Sequence, residues 1–360
     1  MPSLLRIAVA VLAVAASIAG TSAQTGGSNV IIVTIDGLRW QEFFGGAQRE
    51  YFKRGTNGSA GPAEQRFWRD GPGARRTALM PFVWSVVAVN GQVFGDDSAG
   101  SRAGVTNGLW FSYPGYNEMF AGAADARIDS NNKIPNPNVT VLEWLNKRPG
   151  FAGRVAAFGS WDVLPSILNV ERSGIPVGTG WQPVPRPDTD RDRAVNQLAA
   201  DLPRYWEYGP FDAPIVYAAL ESLRTQRPRV LYVMLGEGDE WAHEGKYDLY
   251  LDATKRADAF IQRIWDAAQS MDGYAGRTSL ILTTDHGRGD TLKDWSDHGR
   301  DVPAAERTWI AVMGPAVPAL GVRKDVRVST SQIAATIAAL AGEDFRAGSP
   351  QAAAPLPTGK

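Results

Sequence analysis

Three histidines, each with an aspartate nearby, carry most of the chemical information in this chain. They are the only histidines in the sequence, and they occur in the contexts Asp239-x-x-x-His243, Asp285-His286-Gly287 and Asp297-His298-Gly299. Neutral imidazole and carboxylate are the groups with which proteins bind zinc-like divalent ions. A single histidine of this kind can instead cap a helix or pack locally, but three in one part of the chain predict a metal site.

Three aspartates stand at or just after the ends of short apolar runs. Asp36 follows residues 30–35, Asp239 comes shortly after residues 231–235, and Asp285 follows residues 280–284. Because sites in open α/β sheets form beyond the carboxyl ends of the strands, we expect these side chains to lie together. An aspartate at a strand end can instead cap the following turn. Three carboxylates at one edge would repel one another unless cations neutralised them, so the group indicates bound cations.

A candidate nucleophile lies in the glycine-rich segment of residues 107–122. Ser112 precedes Pro114, which suits the first turn of a helix. Backbone N–H groups at a helix N-terminus can hold an anion, and a metal-bound serine can lose its proton near neutral pH and attack phosphorus. The alternative is that Ser112 only caps the helix.

Four apolar runs rich in β-branched residues are typical of buried parallel strands. They are residues 30–35, 230–235, 279–284 and 309–313. Between the second and third runs, residues 247–271 repeat apolar side chains with the 3.6-residue period of a helix. This order predicts an α/β fold with a mostly parallel central sheet and helices on both faces. A last helix is predicted over residues 331–340.

The segments between these elements show no clear period. Residues 45–101 are rich in Gly, Arg, Asp and Ala, and we predict that they form loops covering the sheet. Residues 174–190 are rich in Pro and Gly and are predicted to be a further loop. The tail from about residue 348 has the composition of a disordered segment. Because no linker divides the chain, we predict a single domain over residues 24–360.

The N-terminus has the pattern of a secretory signal. Arg6 is followed by an apolar run over residues 7–19 and by small residues up to Ala23. We therefore predict a signal peptide over residues 1–23, cleaved after Ala23, and a mature protein that is secreted, or periplasmic in a Gram-negative bacterium. An uncleaved anchor is the alternative. No later segment reaches the roughly 20 apolar residues of a transmembrane helix.

Composition and charge exclude two other kinds of chemistry. The chain has no cysteine, which excludes disulfides and thiolate ligands or nucleophiles. The net charge of -1 provides no basic surface, which argues against nucleic acid as the main partner. A small-molecule substrate is therefore expected, and the sequence makes no prediction of oligomeric state.

In order and spacing, these residues resemble the alkaline phosphatase superfamily, and within it the nucleotide pyrophosphatase/phosphodiesterase-like branch. The resemblance spans roughly residues 30–342, is weak over residues 45–105, and rests on Asp36, Ser112, Asp239-x-x-x-His243, Asp285-His286 and His298. It implies an alkaline phosphatase-like fold and two metal ions. One ion would be bound by Asp239, His243 and His298. The other would be bound by Asp36, Asp285, His286 and the Ser112 oxygen.

Two further positions match the resemblance. The family commonly has a glycine further along the nucleophile loop, and Gly122 matches it. Its phosphodiesterases place an asparagine in contact with a phosphoryl oxygen, and we assign Asn132, in the pair Asn131-Asn132, to that role. The alternative is that both asparagines form a polar turn.

The sequence departs from its relatives near the nucleophile. Phosphodiesterases often have threonine where this chain has Ser112, and an Asn-His pair where it has Gly115-Tyr116. Residues 112–116 also resemble the sulfatase pattern Cys/Ser-x-Pro-x-Arg, but Tyr116 replaces the arginine. The leaving group that the enzyme prefers is therefore left open.

The expected function is two-metal hydrolysis of phosphate monoesters or diesters, with Ser112 forming a phosphoseryl intermediate. Zinc is the first choice from the nitrogen and oxygen ligands, and manganese or a mixed pair are the alternatives. The substrate would be a small phosphoester. Competing functions are a sulfatase or phosphonate hydrolase of the same fold, a phosphomutase, or a non-catalytic metal-binding protein.

Overall fold

The computed structural model describes residues 27–56, 58–209 and 211–359. The predicted signal peptide over residues 1–23 and its cleavage after Ala23 lie outside the described residues. Within the described ranges, no helix combines the length and the apolar character needed to cross a membrane.

The strands form an eight-stranded sheet and a three-stranded sheet. In chain order they are β1 Asn29–Ile35, β2 Gly91–Phe94, β3 Arg102–Gly104, β4 Val155–Gly159, β5 Val177–Thr179, β6 Val230–Leu235, β7 Thr278–Thr283, β8 Arg307–Thr308, β9 Ile310–Met313, β10 Gly321–Val322 and β11 Arg327–Ser329. The large sheet has the order β10-β2-β9-β7-β1-β6-β4-β5, and the small sheet has the order β11-β3-β8. Strands β7, β1, β6, β4 and β5 are parallel neighbours, so the sheet is mostly parallel as predicted.

The α-helices are α1 Trp40–Gly45, α2 Pro62–Phe67, α3 Pro72–Leu79, α4 Ala88–Asn90, α5 Ser112–Ala121, α6 Val141–Asn146, α7 Leu164–Ile167, α8 Val170–Ser173, α9 Asp190–Asp201, α10 Asp212–Thr225, α11 Glu237–His243, α12 Tyr247–Gln269 and α13 Ile333–Leu340. Short 3₁₀ turns cover Arg49–Tyr51, Asp97–Ala99, Thr330–Gln332 and Phe345–Ala347, and a π-helical turn covers Val83–Val87. The predicted helix over 247–271 is therefore confirmed as α12. The predicted helix over 331–340 is α13, which begins after a 3₁₀ turn capped by Ser329 and Gln332.

The side chains of β1 alternate between two apolar cores, one on each face of the sheet. Ile31 and Val33 face a core that includes apolar side chains of α10 and α12. Val30 and Ile32 face a second core that includes apolar side chains of α5 and α13. This alternation follows from the two-residue period of a strand, and it confirms the predicted helices on both faces.

Strand β9 runs antiparallel, whereas the run 309–313 was expected to be parallel. Its residues pair in reverse with β7, for example Thr283 with Ile310, and with β2 on the other side. A parallel return needs a crossover to the opposite end of the sheet. The segment between β7 and β9 contains His286 and His298 and stays at the carboxyl end of β7. Strand β9 therefore begins at that end of the sheet and runs antiparallel to β7.

The prediction of loops over residues 45–101 was wrong, because this segment contains helices α2, α3 and α4, a π-helical turn and strand β2. These helices are short, and their order depends on tertiary burial more than on a period visible in sequence. Phe67, Leu79, Val83 and Trp84 are buried in the same core as α12. Strand β2 extends the central sheet beyond β9.

The prediction of a disordered tail was also wrong. Ala352 and Leu356 are buried in the second core. The Ala353 N–H donates to the Gly122 carbonyl at 2.9 Å, and the Leu356 N–H donates to Thr336 Oγ1 at 2.8 Å. A composition of Ala, Pro and Gly suggested disorder, but two apolar anchors and these backbone bonds fix the tail on α5 and α13.

Candidate active site

The sheet topology brings the predicted acidic residues to one edge. Strand β1 lies between β7 and β6 and runs parallel to both. Asp36 follows β1 and Asp285 follows β7, whereas Asp239 lies in the first turn of α11, directly after β6. The carboxyl ends of three adjacent parallel strands thus deliver three carboxylates to the same place, as the sequence predicted.

The first ligand cluster consists of Asp36, Asp285 and His286, with the Ser112 hydroxyl beside it. The His286 Nε2 atom lies 3.4 Å from Asp36 Oδ1, 3.4 Å from Asp285 Oδ2 and 3.2 Å from Ser112 Oγ. The other imidazole nitrogen, Nδ1, lies 2.8 Å from the Gly287 carbonyl oxygen. Because a carbonyl can only accept, Nδ1 carries the proton of that bond, and the Nε2 atom faces the carboxylates.

The first cluster has oxygen atoms that no described residue satisfies. Asp36 Oδ1 and Asp285 Oδ2 are buried and have no hydrogen-bond partner among the described residues. Burial, and then the charge of Asp36, raise the pKa of Asp285 well above its usual value. Burial lowers the pKa of His286, but Asp285 and Asp36 outweigh it and raise that pKa to about 9. Buried orphan carboxylate oxygens around one imidazole nitrogen fit a divalent cation.

The second ligand cluster consists of Asp239, His243 and His298. His243 Nε2 lies 3.1 Å from Asp239 Oδ2 and 3.0 Å from His298 Nε2. In a tetrahedral site with zinc–nitrogen bonds of about 2.0 Å, ligand atoms lie roughly 3.3 Å apart. The spacing therefore fits a second divalent ion, held by two imidazoles and one carboxylate.

The two clusters adjoin. The ligand atoms of Asp239, His286 and His298 also lie within 4.8 Å of one another, and the rings of His286 and His298 are 4.0 Å apart between centroids. All seven residues that the sequence predicted as metal ligands are thus brought together, in two neighbouring groups.

Ser112 begins helix α5, and this helix packs closely against Asp285 at the end of β7. A side chain at position 115 would lie 2.4 Å from the Asp285 carbonyl oxygen, so Gly115 permits this close approach. The residue two before the serine, Trp110, has a φ of 56°, a left-handed conformation that is costly for a large side chain. Gly122 ends the helix with a φ of 78°.

Glu118 holds the loop that precedes Ser112, a role that no local sequence pattern indicates. Its fully buried carboxylate accepts from Thr106 N at 2.8 Å, Thr106 Oγ1 at 2.9 Å, Asn107 Nδ2 at 3.1 Å and Thr330 Oγ1 at 3.1 Å. Asn107 Oδ1 in turn accepts from the N–H groups of residues 109 and 110. The strained turn before the serine is therefore held from within α5 itself.

Tyr116 and Arg288 also contact the candidate ligands, and the sequence predicted neither of them as a site residue. The phenol of Tyr116 donates to Asp36 Oδ2 at 2.9 Å. Arg288 is fully buried, and its guanidinium contacts Asp239 Oδ1 and donates to the Asp239 carbonyl oxygen at 3.1 Å. Because Arg288 lies two residues after His286, the sequence itself could have suggested that Arg288 lies near the candidate metal ligands. Burial alone would raise the pKa of Asp239, but Arg288 and then His243 hold it well below its usual value.

A cleft of about 520 Å³ opens onto both clusters. Its lining comprises Asp36, Ser112, Asn131, Lys133, Trp161, Asp162, Val163, Tyr208, Gly236, Asp239, Glu240, His243 and His298. The predicted substrate contact Asn132 is exposed and is not part of this lining, whereas its neighbour Asn131 is. Asn131 Oδ1 accepts from the Tyr113 N–H at 3.0 Å. Lys133 pairs with Asp162 at 2.6 Å.

One family model and several solved structures are similar to this chain. Residues 212–342 match the family model of the Metalloenzyme superfamily, a segment that contains Asp239, His243, Asp285, His286 and His298. No curated protein of similar sequence was found.

Several solved structures have the same fold at low sequence identity. A putative sulfatase from Bacteroides thetaiotaomicron is 12% identical, with a TM-score of 0.55 over 92% of this chain and 72% of that chain. The phosphonate monoester hydrolase of Agrobacterium radiobacter is 12% identical, with a TM-score of 0.54 over 88% and 74%. A protein in the alkaline phosphatase superfamily from Vibrio parahaemolyticus is 14% identical, with a TM-score of 0.52 over 89% and 67%.

These similarities confirm the predicted alkaline phosphatase-like fold and the resemblance to that superfamily. None of them singles out the nucleotide pyrophosphatase/phosphodiesterase-like branch. The chain thus combines an alkaline phosphatase-like α/β fold with two adjoining clusters of residues that could bind metal ions.

Proposed function

We propose that this protein is an exported two-metal hydrolase of phosphate monoesters or diesters that acts through a phosphoseryl intermediate. The observation that carries the proposal is the position of Ser112. Its hydroxyl lies 3.2 Å from His286 Nε2, at the start of a helix and in the wall of the cleft that opens onto both ligand clusters. A hydroxyl in this position can attack a phosphorus atom that enters the cleft.

The covalent step can be assigned to this chain's own atoms. The Ser112 hydroxyl releases its proton to solvent and its Oγ forms a bond to phosphorus. The bond from phosphorus to the leaving oxygen breaks, and that oxygen takes up a proton from solvent to leave as the alcohol. Water then attacks the same phosphorus and the bond to Oγ breaks; one proton of the water goes to Oγ, which restores the serine, and the phosphate is released. Attack and departure take place on opposite sides of the phosphoryl group.

The phosphoryl oxygens need hydrogen-bond donors in the cleft. The first turn of α5 provides few, because Pro114 has no N–H and the Tyr113 N–H is taken by Asn131 Oδ1. We assign this role to the amide nitrogen of Asn131, in place of the predicted Asn132. Lys133 also lines the cleft, where it is paired with Asp162 at 2.6 Å.

The metal ions belong to the two ligand clusters. Asp36, Asp285, His286 and the Ser112 oxygen would hold one ion, and Asp239, His243 and His298 would hold the other. When bound, the ions supply Lewis-acid activation and charge neutralisation at the phosphoryl group. Imidazole and carboxylate donors favour zinc, with manganese or a mixed pair as alternatives.

A sulfatase or phosphonate ester hydrolase is the second candidate, because two structures of the same fold carry those names. The residue at position 116 argues against the sulfatase. Tyr116 stands where the sulfatase pattern has arginine, and its phenol is used by Asp36.

Ser112→Ala tests the proposal directly. We expect kcat for aryl phosphate esters to fall at least about 10³-fold, while metal content stays near that of the unchanged protein because the other ligands remain. Ser85→Ala, at an exposed serine outside the cleft, is the matched control. Rapid quenching with a phosphorus-labelled substrate should place the label on Ser112. Near-normal turnover by Ser112→Ala would show that another residue is the nucleophile.

The metal requirement is tested in the same preparation. We expect close to two divalent ions per chain and reversible loss of activity with a chelator. Full activity in rigorously metal-free protein would exclude the proposed function.

A further inference from the structure

Arg288 places a permanent positive charge in one of the two ligand clusters. Its side chain is fully buried, and its guanidinium contacts Asp239 Oδ1 and the Asp239 carbonyl oxygen. A side chain at position 37 would lie 2.8 Å from Arg288 Nε, so Gly37 leaves the space that the guanidinium fills. Arginine keeps its charge at any pH at which a protein is folded.

In the part of the chain that the structure describes, no arginine or lysine forms an ion pair with the cluster of Asp36, Asp285 and His286. Among the described residues, the recorded ion-pair partner of Asp36 and of Asp285 is His286 alone. Before any ion binds, this cluster brings two carboxylates, an imidazole and the Ser112 hydroxyl to one point. The cluster of Asp239, His243 and His298 brings one carboxylate, and Arg288 already offsets its charge.

The two clusters also differ in burial. Asp285 and His286 are fully buried, and Asp36 is only 4% exposed. The His243 side chain is 43% exposed. A dication at the buried cluster would be held by two carboxylates with which no described arginine or lysine pairs, in a place with little water. A dication at the other cluster would be repelled by a buried guanidinium and reached by solvent.

We infer that Arg288 makes the two metal sites unequal. The Asp36–Asp285–His286 site fills first and holds its ion tightly. The Asp239–His243–His298 site fills second, releases its ion readily and determines the metal concentration at which the protein is fully loaded. This inference rests on the two-metal site of the proposed function, but it concerns binding and can be measured without any substrate.

Titration of metal-free protein with zinc chloride, in competition with a chromophoric chelator, tests the inference. We expect two classes of site whose dissociation constants differ by at least about 100-fold. His298→Ala should remove the weaker class and keep the tighter one, whereas Asp285→Asn should remove the tighter class. Equal affinities, or loss of the tighter class in His298→Ala, would overturn the inference and leave the proposed function standing. Binding of a single ion at every concentration would overturn both.

Arg288 itself is tested by a pair of variants. Arg288→Gln removes the charge and keeps a hydrogen-bond donor, so the weaker dissociation constant should fall at least about tenfold. Arg288→Lys keeps the charge and should keep the weak class weak. Circular dichroism and Tm establish that each variant is folded. If one is not, the His298→Ala and Asp285→Asn assignments still decide the order of loading. If folded Arg288→Gln has the same dissociation constant for the weaker class of site as the unchanged protein, Arg288 is not the cause of the weaker binding.

Discussion

The phenol of Tyr116 donates a 2.9 Å hydrogen bond to Asp36 Oδ2, and so ties helix α5 to the end of strand β1. Both side chains are buried. The bond occupies one oxygen of Asp36 and directs the other, the unsatisfied Oδ1, toward His286. Partners of this kind set the orientation of a ligand before the ion arrives.

Tyr116→Phe should therefore weaken metal binding. The phenylalanine keeps the packing of α5 but leaves Asp36 free to rotate, and loss of such a partner typically costs about 10- to 100-fold in metal affinity. Tyr113→Phe is the matched control, because the Tyr113 phenol donates to the carbonyl oxygens of Ile134 and Ser166 and does not contact a ligand. It should lower Tm without changing zinc affinity. Equal zinc affinities for the two variants would contradict the role given to Tyr116.

The same tyrosine predicts a preference for phosphate over sulfate. A phosphoryl group carries more negative charge than a sulfuryl group and gains more from two adjoining dications. Without the arginine of the sulfatase pattern, we expect Ser112 to stay unmodified, which mass spectrometry of the tryptic peptide 103–127 can show. Matched aryl esters should favour phosphate by at least about 100-fold in kcat/KM, or about 2.7 kcal/mol. Formylglycine at position 112, or faster sulfate hydrolysis, would assign the protein to the sulfatases.

Part of the candidate site could be predicted from sequence because three of its candidate ligands, Asp36, Asp239 and Asp285, lie at or just after strand ends. Asp36 and Asp285 directly follow buried apolar runs, and the parallel arrangement of β1, β6 and β7 brings them together. Side chains whose role depends on a distant partner could not be found in this way. Glu118 accepts a hydrogen bond from Thr330, and Asn131 accepts one from the Tyr113 N–H. No local sequence pattern predicts either contact.

The fold was predictable where a strong period or an apolar run determines the element, as for α12 and β6. It was not predictable where an element forms because of burial in tertiary structure. Strand β2 is four residues long and pairs with β9 far along the sheet from β1. The direction of β9 depends on the path of the segment between β7 and β8, which contains His286 and His298. Short elements of this kind have little local signal.

Glu118→Ala should lower turnover more than substrate binding. The change leaves Thr106 and Asn107 without their acceptor, so the strained turn at Trp110 loses its support and Ser112 shifts. A shift of about 1 Å at a reacting group can cost about 100-fold in rate. We expect that loss in kcat, with KM and zinc content near normal. Glu171→Ala, at an exposed glutamate on α8, is the control. A change confined to Tm would reduce Glu118 to a structural role.

Removal of the tail after residue 348 should destabilise the protein, contrary to what its composition indicates. The deletion exposes apolar surface under Leu356 and Ala352 and breaks the bonds to Gly122 and Thr336. Burial of a leucine side chain stabilises by about 1.5–3 kcal/mol, so Tm should fall by roughly 5 °C. Leu356→Ala should reproduce most of the loss by differential scanning calorimetry, whereas Gln351→Ala, at an exposed position in the same tail, should not. An unchanged Tm in the truncated protein would mean that the tail does not pack on α5 and α13 in solution.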